Sequence, residues 1–134
     1  EMSKLLGHQF IALHTPLITS LKGPGEKMSK SIPGSGISVT DSYDEIKKSI
    51  NGAYCPEKIA QDNPLLQIAK LIIFPRIAKF KIARDKKFGG NVEFGNYEEL
   101  EETYTAGKLH PLDLKKAVAD YLEEIIAPIR KKWK

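Results

Sequence analysis

Cysteine is almost absent from this sequence, with Cys55 standing alone among 134 residues. An intramolecular disulfide is therefore excluded, no paired-cysteine zinc motif exists, and a reducing compartment is the default. The three histidines, His8, His14 and His110, lack metal-ligand spacing, so no protein-bound metal is expected. No apolar run approaches the roughly 20 residues of a membrane span, and no signal-peptide pattern opens the chain. These absences predict a soluble, cytoplasmic protein with no membrane partner. Neither charge sign dominates: 21 Lys and Arg against 17 Asp and Glu leave +4 and a pI near 9.1. That balance tilts the partner list toward polyanions without demanding one. The length suits a single core burying about two-thirds of the unfolded surface, and it excludes a large multidomain enzyme.

What is present is punctuated by glycine and proline. The apolar FIALH at residues 10–14, preceded by a helix stub at residues 2–6, reads as the last strand of something larger. Because residue 1 is Glu rather than Met, the chain is expected to be a piece of a longer protein. After the Gly- and Pro-rich GEKMSKSIPGSG (25–36), Ser42 and Glu45 have capping-box spacing, and Ile46, Ile50 and Ala53 recur on one helical face. Asn63 as N-cap with Pro64 at the first position predicts a second, nearly all-apolar helix running through LLQIAKLIIF to a break at Pro75. Residues 79–94 alternate apolar and polar around a charged, Gly-containing turn, predicting a hairpin. Asn96 and Glu99 start a helix that stops at Gly107. The last helix opens at Pro111, with Asp113 in its first turn and a core stripe of Leu114, Val118, Tyr121, Leu122, Ile125 and Ile129. Pro128 is expected to kink or end its first part. The fold class that follows is mainly α, a helical bundle with one short β-hairpin, preceded by a leftover strand and loop.

Lysine ammonium groups, serine hydroxyls and exposed backbone N–H groups are all phosphate ligands, so Lys27, Ser29, Lys30 and Ser31 compose a polyphosphate clamp. The flanking glycines and prolines would let it open and close as a unit. The bland alternative is a solvated loop with ordinary lysines. Lys27, Met28, Ser29, Lys30 and Ser31, however, spell KMSKS in full. In this the chain resembles the class I aminoacyl-tRNA synthetases, where the motif follows the last strand of the Rossmann domain and acts in activation of the amino acid by ATP.

The resemblance extends over essentially the whole chain and is closest to the C-terminal portion of archaeal and eukaryotic tyrosyl-tRNA synthetases. It rests on AYCP (53–56), NPLLQIAK (63–70), KFGGN (87–91), YEELE (97–101), LHPLDLKKAVA (109–119) and PIRKKW (128–133). The tryptophanyl branch is the runner-up, since KMSKS, SVTDS and the early helix suit it too; AYCP and HPLDLK fit the tyrosine branch better. At Lys30 the chain departs from the tyrosine enzymes, which often carry serine there. The resemblance implies an edge of the Rossmann catalytic domain over residues 1–39 and a helical anticodon-binding domain over 40–134. It further implies ATP, with Mg2+ as its counter-ion, tyrosine and tRNA(Tyr) as partners, with a homodimeric parent. The residues here include neither a HIGH-type motif nor an amino-acid pocket, so the piece alone is expected to be monomeric and inactive.

The same resemblance matches Phe88 to an aromatic that stacks on the first anticodon base, His110 to a second flanking ring, and Asp113 to a carboxylate that accepts hydrogen bonds from guanine. Bare pattern leaves other readings open. Phe88 could pack on the core, and Asp113 could cap the helix that starts after His110. The cations Arg76, Lys79, Lys81, Arg84, Lys86 and Lys87, against Asp85 alone, together with the terminal RKKWK, offer phosphate contacts, though a charge run is usually a solvated face. A non-enzymatic RNA-binding helical module stays open as an alternative.

Overall fold

A capping box starts the first helix. Ser42 Oγ accepts from the Glu45 N–H at 3.3 Å, and the Glu45 carboxylate accepts from the Ser42 N–H at 2.7 Å, so two otherwise orphaned donors are satisfied reciprocally. Helix α1, Tyr43–Asn51, then buries Ile46 and Ile50 as its spacing predicts. This computed structural model describes residues 18–26, 29 and 31–133. The strand read at 10–14 and the helix stub at 2–6 lie outside the described residues.

Asn63 begins α2, Pro64–Ile68, its buried side-chain oxygen accepting from the Leu65 and Leu66 N–H groups at 3.1 and 3.4 Å. The expected single helix up to Pro75 is not what forms. The chain widens into a π-helical segment, Ala69–Ile73, and then tightens into a 3-10 turn, Phe74–Arg76. Pro75 has no N–H for the Leu71 carbonyl, and its ring would clash with that carbonyl in a regular α-turn. Changing pitch accommodates it while Ile68, Ala69 and Ile73 stay buried.

The hairpin is shorter than its sequence signal. Strand β1, Phe80–Ile82, pairs antiparallel with β2, Val92–Phe94, in the register Phe80 to Phe94, Lys81 to Glu93 and Ile82 to Val92. Phe80, Ile82 and Phe94 point inward, as alternation requires. Phe80 stacks between Phe74 and Tyr121, with ring centroids 5.4 and 4.8 Å away. The Tyr121 hydroxyl accepts from the Lys81 N–H at 2.9 Å, which pairs a donor that this two-stranded sheet leaves open. Helix α3, Tyr97–Thr105, is capped by Asn96 and stops before Gly107, whose φ of +80° is left-handed.

Helix α4, Pro111–Trp133, forms the long wall against which α1, α2, the π segment and β1 pack. It continues through Pro128 instead of ending there. Glu123 and Arg130 form a bidentate pair, at 2.9 and 3.2 Å, that joins the turns on either side of the proline. The expected core stripe is correct at Leu114, Val118 and Leu122 and partly so at Tyr121 and Ile125. Ile129 is 38% exposed, and Ile126 is buried in its stead. No helix of the described residues is long and apolar enough to cross a membrane.

One polar network lies inside the apolar core. The buried Tyr104 hydroxyl donates to the Pro56 carbonyl at 2.6 Å and lies 3.2 Å from the Cys55 sulfur, while the Asn63 amide donates to the Ile59 carbonyl at 3.1 Å. Burial, followed by the Cys55 contact, pushes the Tyr104 hydroxyl well above its ordinary pKa, and burial pushes Tyr97 up to about 12. The neutral phenols are the forms the fold favours. Their contribution to stability is therefore complete below pH 10 and is lost as pH rises through their folded-state values. In an alkaline titration, part of the tyrosine absorbance change is expected to lag to about pH 12 and to coincide with loss of helical circular dichroism. Complete titration near pH 10 with the helices intact would contradict this burial.

Candidate nucleic-acid interface

Three loops meet at one end of α4: the segment after α1, the hairpin loop, and the α3–α4 turn. Between them lies an open cleft of about 210 Å3, lined by Glu57, Lys58, Arg84, Phe88, Gly107, Lys108, Leu109, His110 and Asp113. Phe88, His110 and Asp113, singled out from sequence, are thus brought together although they come from two separate segments.

Phe88 ends a 3-10 turn, Lys86–Phe88, and its ring is 61% exposed. Packing on the core is thereby ruled out for this residue. The Lys87 ammonium sits 5.0 Å from the ring centroid. Gly89 follows at a φ of +100°, a left-handed turn that favours glycine, and a Cβ there would press on the Arg84 guanidinium at 3.1 Å.

His110, not Asp113, caps α4. Its Nδ1 accepts from the Leu112 N–H at 3.1 Å, and its carbonyl accepts from the Asp113 and Leu114 N–H groups at 3.1 and 3.2 Å. An accepting Nδ1 places the neutral ring's proton on Nε2, which faces a Glu57 carboxylate oxygen at 3.6 Å. Asp113 is left with no side-chain hydrogen bond or ion pair among the described residues. Its half-buried carboxylate sits in the first turn of α4, where the helix dipole favours an anion. It also borders a neighbouring groove formed with Lys81, Lys116, Asp120 and Glu124. A free acceptor, an exposed ring and a capping imidazole around one opening can hold a flat heteroaromatic group and read donors on its edge.

Arg84 was visible in sequence only as one member of a basic run, yet it builds the cleft. Its Nε donates to the Gly90 carbonyl at 3.0 Å and its Nη1 to the Lys108 carbonyl at 2.9 Å, tying the hairpin loop to the α3–α4 turn. Glu57 and Lys58 were also missed, since nothing local marks them. Lys58 lies so close to Gly107 that a Cβ there would meet its Cε at 2.5 Å. The basic run is weaker than its count: Lys79 and Lys81 both reach Glu93, at 2.7 and 3.7 Å, and Arg130 of the terminal run is paired with Glu123. Contact with Glu93 raises the pKa of Lys79, and contact with Lys79 lowers that of Glu93. Lys86 and Lys87 remain exposed beside Phe88.

Of the lysine-rich loop, Lys27, Met28 and Lys30 lie outside the described residues. Ser29 and Ser31, expected as phosphate ligands, direct their hydroxyls at each other, 2.9 Å apart. The loop's far arm is anchored by Ser35, which is fully buried. The segment leading into the loop is tied down as well, since Thr19 exchanges hydrogen bonds of 2.6 and 3.0 Å with Gln67 of α2.

The family described as "tRNA synthetases class I (W and Y)" matches this sequence over residues 3–127. The chain belongs to that family. A tyrosine–tRNA ligase of Saccharolobus solfataricus is 49% identical over a match that takes in 92% of this chain and 38% of that protein. Among solved structures, a tyrosyl-tRNA synthetase of Archaeoglobus fulgidus complexed with L-tyrosine superposes with a TM-score of 0.85 at 45% identity, over 98% of this chain and 40% of that one. The tyrosyl-tRNA synthetase of Aeropyrum pernix gives 0.78 at 47%, over 96% and 37%. The chain therefore spans about two-fifths of the length of these relatives. All three are of the tyrosine branch, in keeping with the AYCP and HPLDLK words.

Replacing Arg84 with Lys keeps the charge but cannot reproduce the fork to two carbonyls. Stability to urea is expected to fall by about 1–2 kcal/mol. An R84K protein indistinguishable from wild type would show that the fork does not hold the two loops together.

Proposed function

We propose that this chain is the lysine-loop and anticodon-reading portion of a tyrosine–tRNA ligase, with residues 1–39 belonging to the edge of its Rossmann catalytic domain and 40–134 to its helical anticodon-binding domain. The observation that carries the reading is the convergence of Phe88, His110 and Asp113 on one cleft. Guanine displays N1–H and N2–H2 donors on its Watson–Crick edge, and the unpaired Asp113 carboxylate is an acceptor of matching chemistry. The exposed Phe88 ring supplies a stacking face, with His110 flanking it. Stacking plus edge hydrogen bonding is the usual way that proteins read an unstacked RNA base.

In the complete enzyme a tyrosine carboxylate oxygen attacks the α-phosphorus of ATP, tyrosyl-adenylate forms and pyrophosphate leaves; the tyrosyl group then passes to tRNA(Tyr). Lys27 and Lys30 engage the β- and γ-phosphates, and their hold strengthens as charge builds on the departing pyrophosphate, so the transition state gains more than the ground state. Mg2+ enters with ATP as its counter-ion. The tyrosine pocket is supplied by residues other than these.

Affinity should be measured for tRNA(Tyr) transcripts that differ only at the first anticodon base, at fixed ionic strength. Wild type is expected to prefer guanine, and Asp113→Ala to lose that preference. Phe88→Ala should weaken every transcript by about 1–3 kcal/mol. Lys86→Ala should weaken all of them alike, without changing the base preference. A wild-type protein indifferent to the first anticodon base would overturn the anticodon reading.

A further inference from the structure

We propose that Ser35, outside the KMSKS motif, is the positioning residue of the lysine loop. The inference rests on the activity proposed above.

Ser35 is one of the few polar residues buried completely, in a stretch, GSG, whose composition reads as flexible linker. All its hydrogen-bonding groups are engaged. The hydroxyl accepts from the Ser29 N–H at 2.9 Å and donates to the Ser29 carbonyl at 2.7 Å, gripping both polar groups of one backbone residue. Its own N–H donates to the Ile32 carbonyl at 3.2 Å, and its carbonyl accepts from the Leu21 N–H at 2.9 Å and from Ser20 Oγ at 3.3 Å. The Leu21 carbonyl in turn accepts from the Tyr54 N–H at 2.6 Å. Ser29 is the central residue of the motif, and the peptide planes on its two sides set the directions in which its neighbours leave. The clamp thus refers the middle of the phosphate-engaging loop to a buried point shared with Ser20 and Leu21 and with the segment after α1. Ser35 touches no reacting atom; it acts through Ser29.

The effect belongs to the first chemical step. In the complete enzyme carrying this segment, Ser35→Ala is expected to slow tyrosine-dependent ATP–pyrophosphate exchange by about tenfold to a hundredfold, the scale set by misplacing a positioned group. The Kd for tRNA(Tyr) and the KM for tyrosine are expected to stay within twofold, and Ser35→Thr, which restores a hydroxyl, to recover most of the rate. A general loss of structure would instead move all three quantities together. As a readout independent of activity, the Ser29 amide is expected to exchange with solvent at least tenfold faster in Ser35→Ala. Unchanged exchange at that amide, a pyrophosphate-exchange rate within twofold of wild type, or tRNA affinity falling in parallel with the rate would each overturn the inference. A wild-type enzyme without any pyrophosphate exchange would instead overturn the proposed activity, and this inference with it.

Discussion

The hydrogen bond from the Tyr104 hydroxyl to the Pro56 carbonyl is the contact on which the two halves of the molecule depend. It fixes a stretch that has almost no regular structure, residues 54–58, against the buried face of α3. At one end of that stretch the Tyr54 N–H meets the Leu21 carbonyl beside the lysine loop; at the other, Glu57 and Lys58 line the cleft with Phe88, His110 and Asp113. Where an irregular segment is partly buried, its backbone polar groups must still be paired. Tyr104 pairs the Pro56 carbonyl and Asn63 the Ile59 carbonyl, so the hydroxyl of a fully buried tyrosine has its partner.

Much of this fold was legible because its signals are local. A capping box needs only Ser42 and Glu45, an N-cap with following proline only Asn63 and Pro64, and a short hairpin only two alternating runs around a glycine turn. The structure bears out each of them. The pitch change ahead of Pro75 and the continuation of α4 through Pro128 were not legible, since a proline states which hydrogen bond is lost but not what compensates for it. At Pro75 the compensation is a wider turn; at Pro128 it includes an ion pair spaced seven residues apart. The place of Ile129 in the core stripe failed for a similar reason, because periodicity cannot tell where the neighbouring elements stop.

The site divides in the same way. Phe88, His110 and Asp113 were named from a resemblance, and only the fold shows that they share an opening. From the sequence, Asp113 was the residue offered as the cap of α4. Geometry assigns the cap to the imidazole and leaves the carboxylate free. Arg84 and Ser35 carried no distinguishing local signal: one was a cation among cations, the other a serine between glycines. Each acquires its role from carbonyl and amide groups brought to it by folding.

The ion pairs on the outer face of the hairpin and near the end of α4 have a consequence for any polyanion that docks here. Lys79 and Lys81 already face Glu93, and Arg130 already faces Glu123. A cation satisfied by a carboxylate attracts few mobile anions from the electrolyte, and bringing up a phosphate displaces little. The dependence of binding on salt scales with the phosphates actually neutralised, at roughly 0.7 per phosphate on a single strand. This surface should therefore behave as though it carried only its unpaired lysines, with a much flatter response to ionic strength than 21 basic residues would suggest. Lys79, Lys81 and Arg130 are already engaged in holding the chain's own shape.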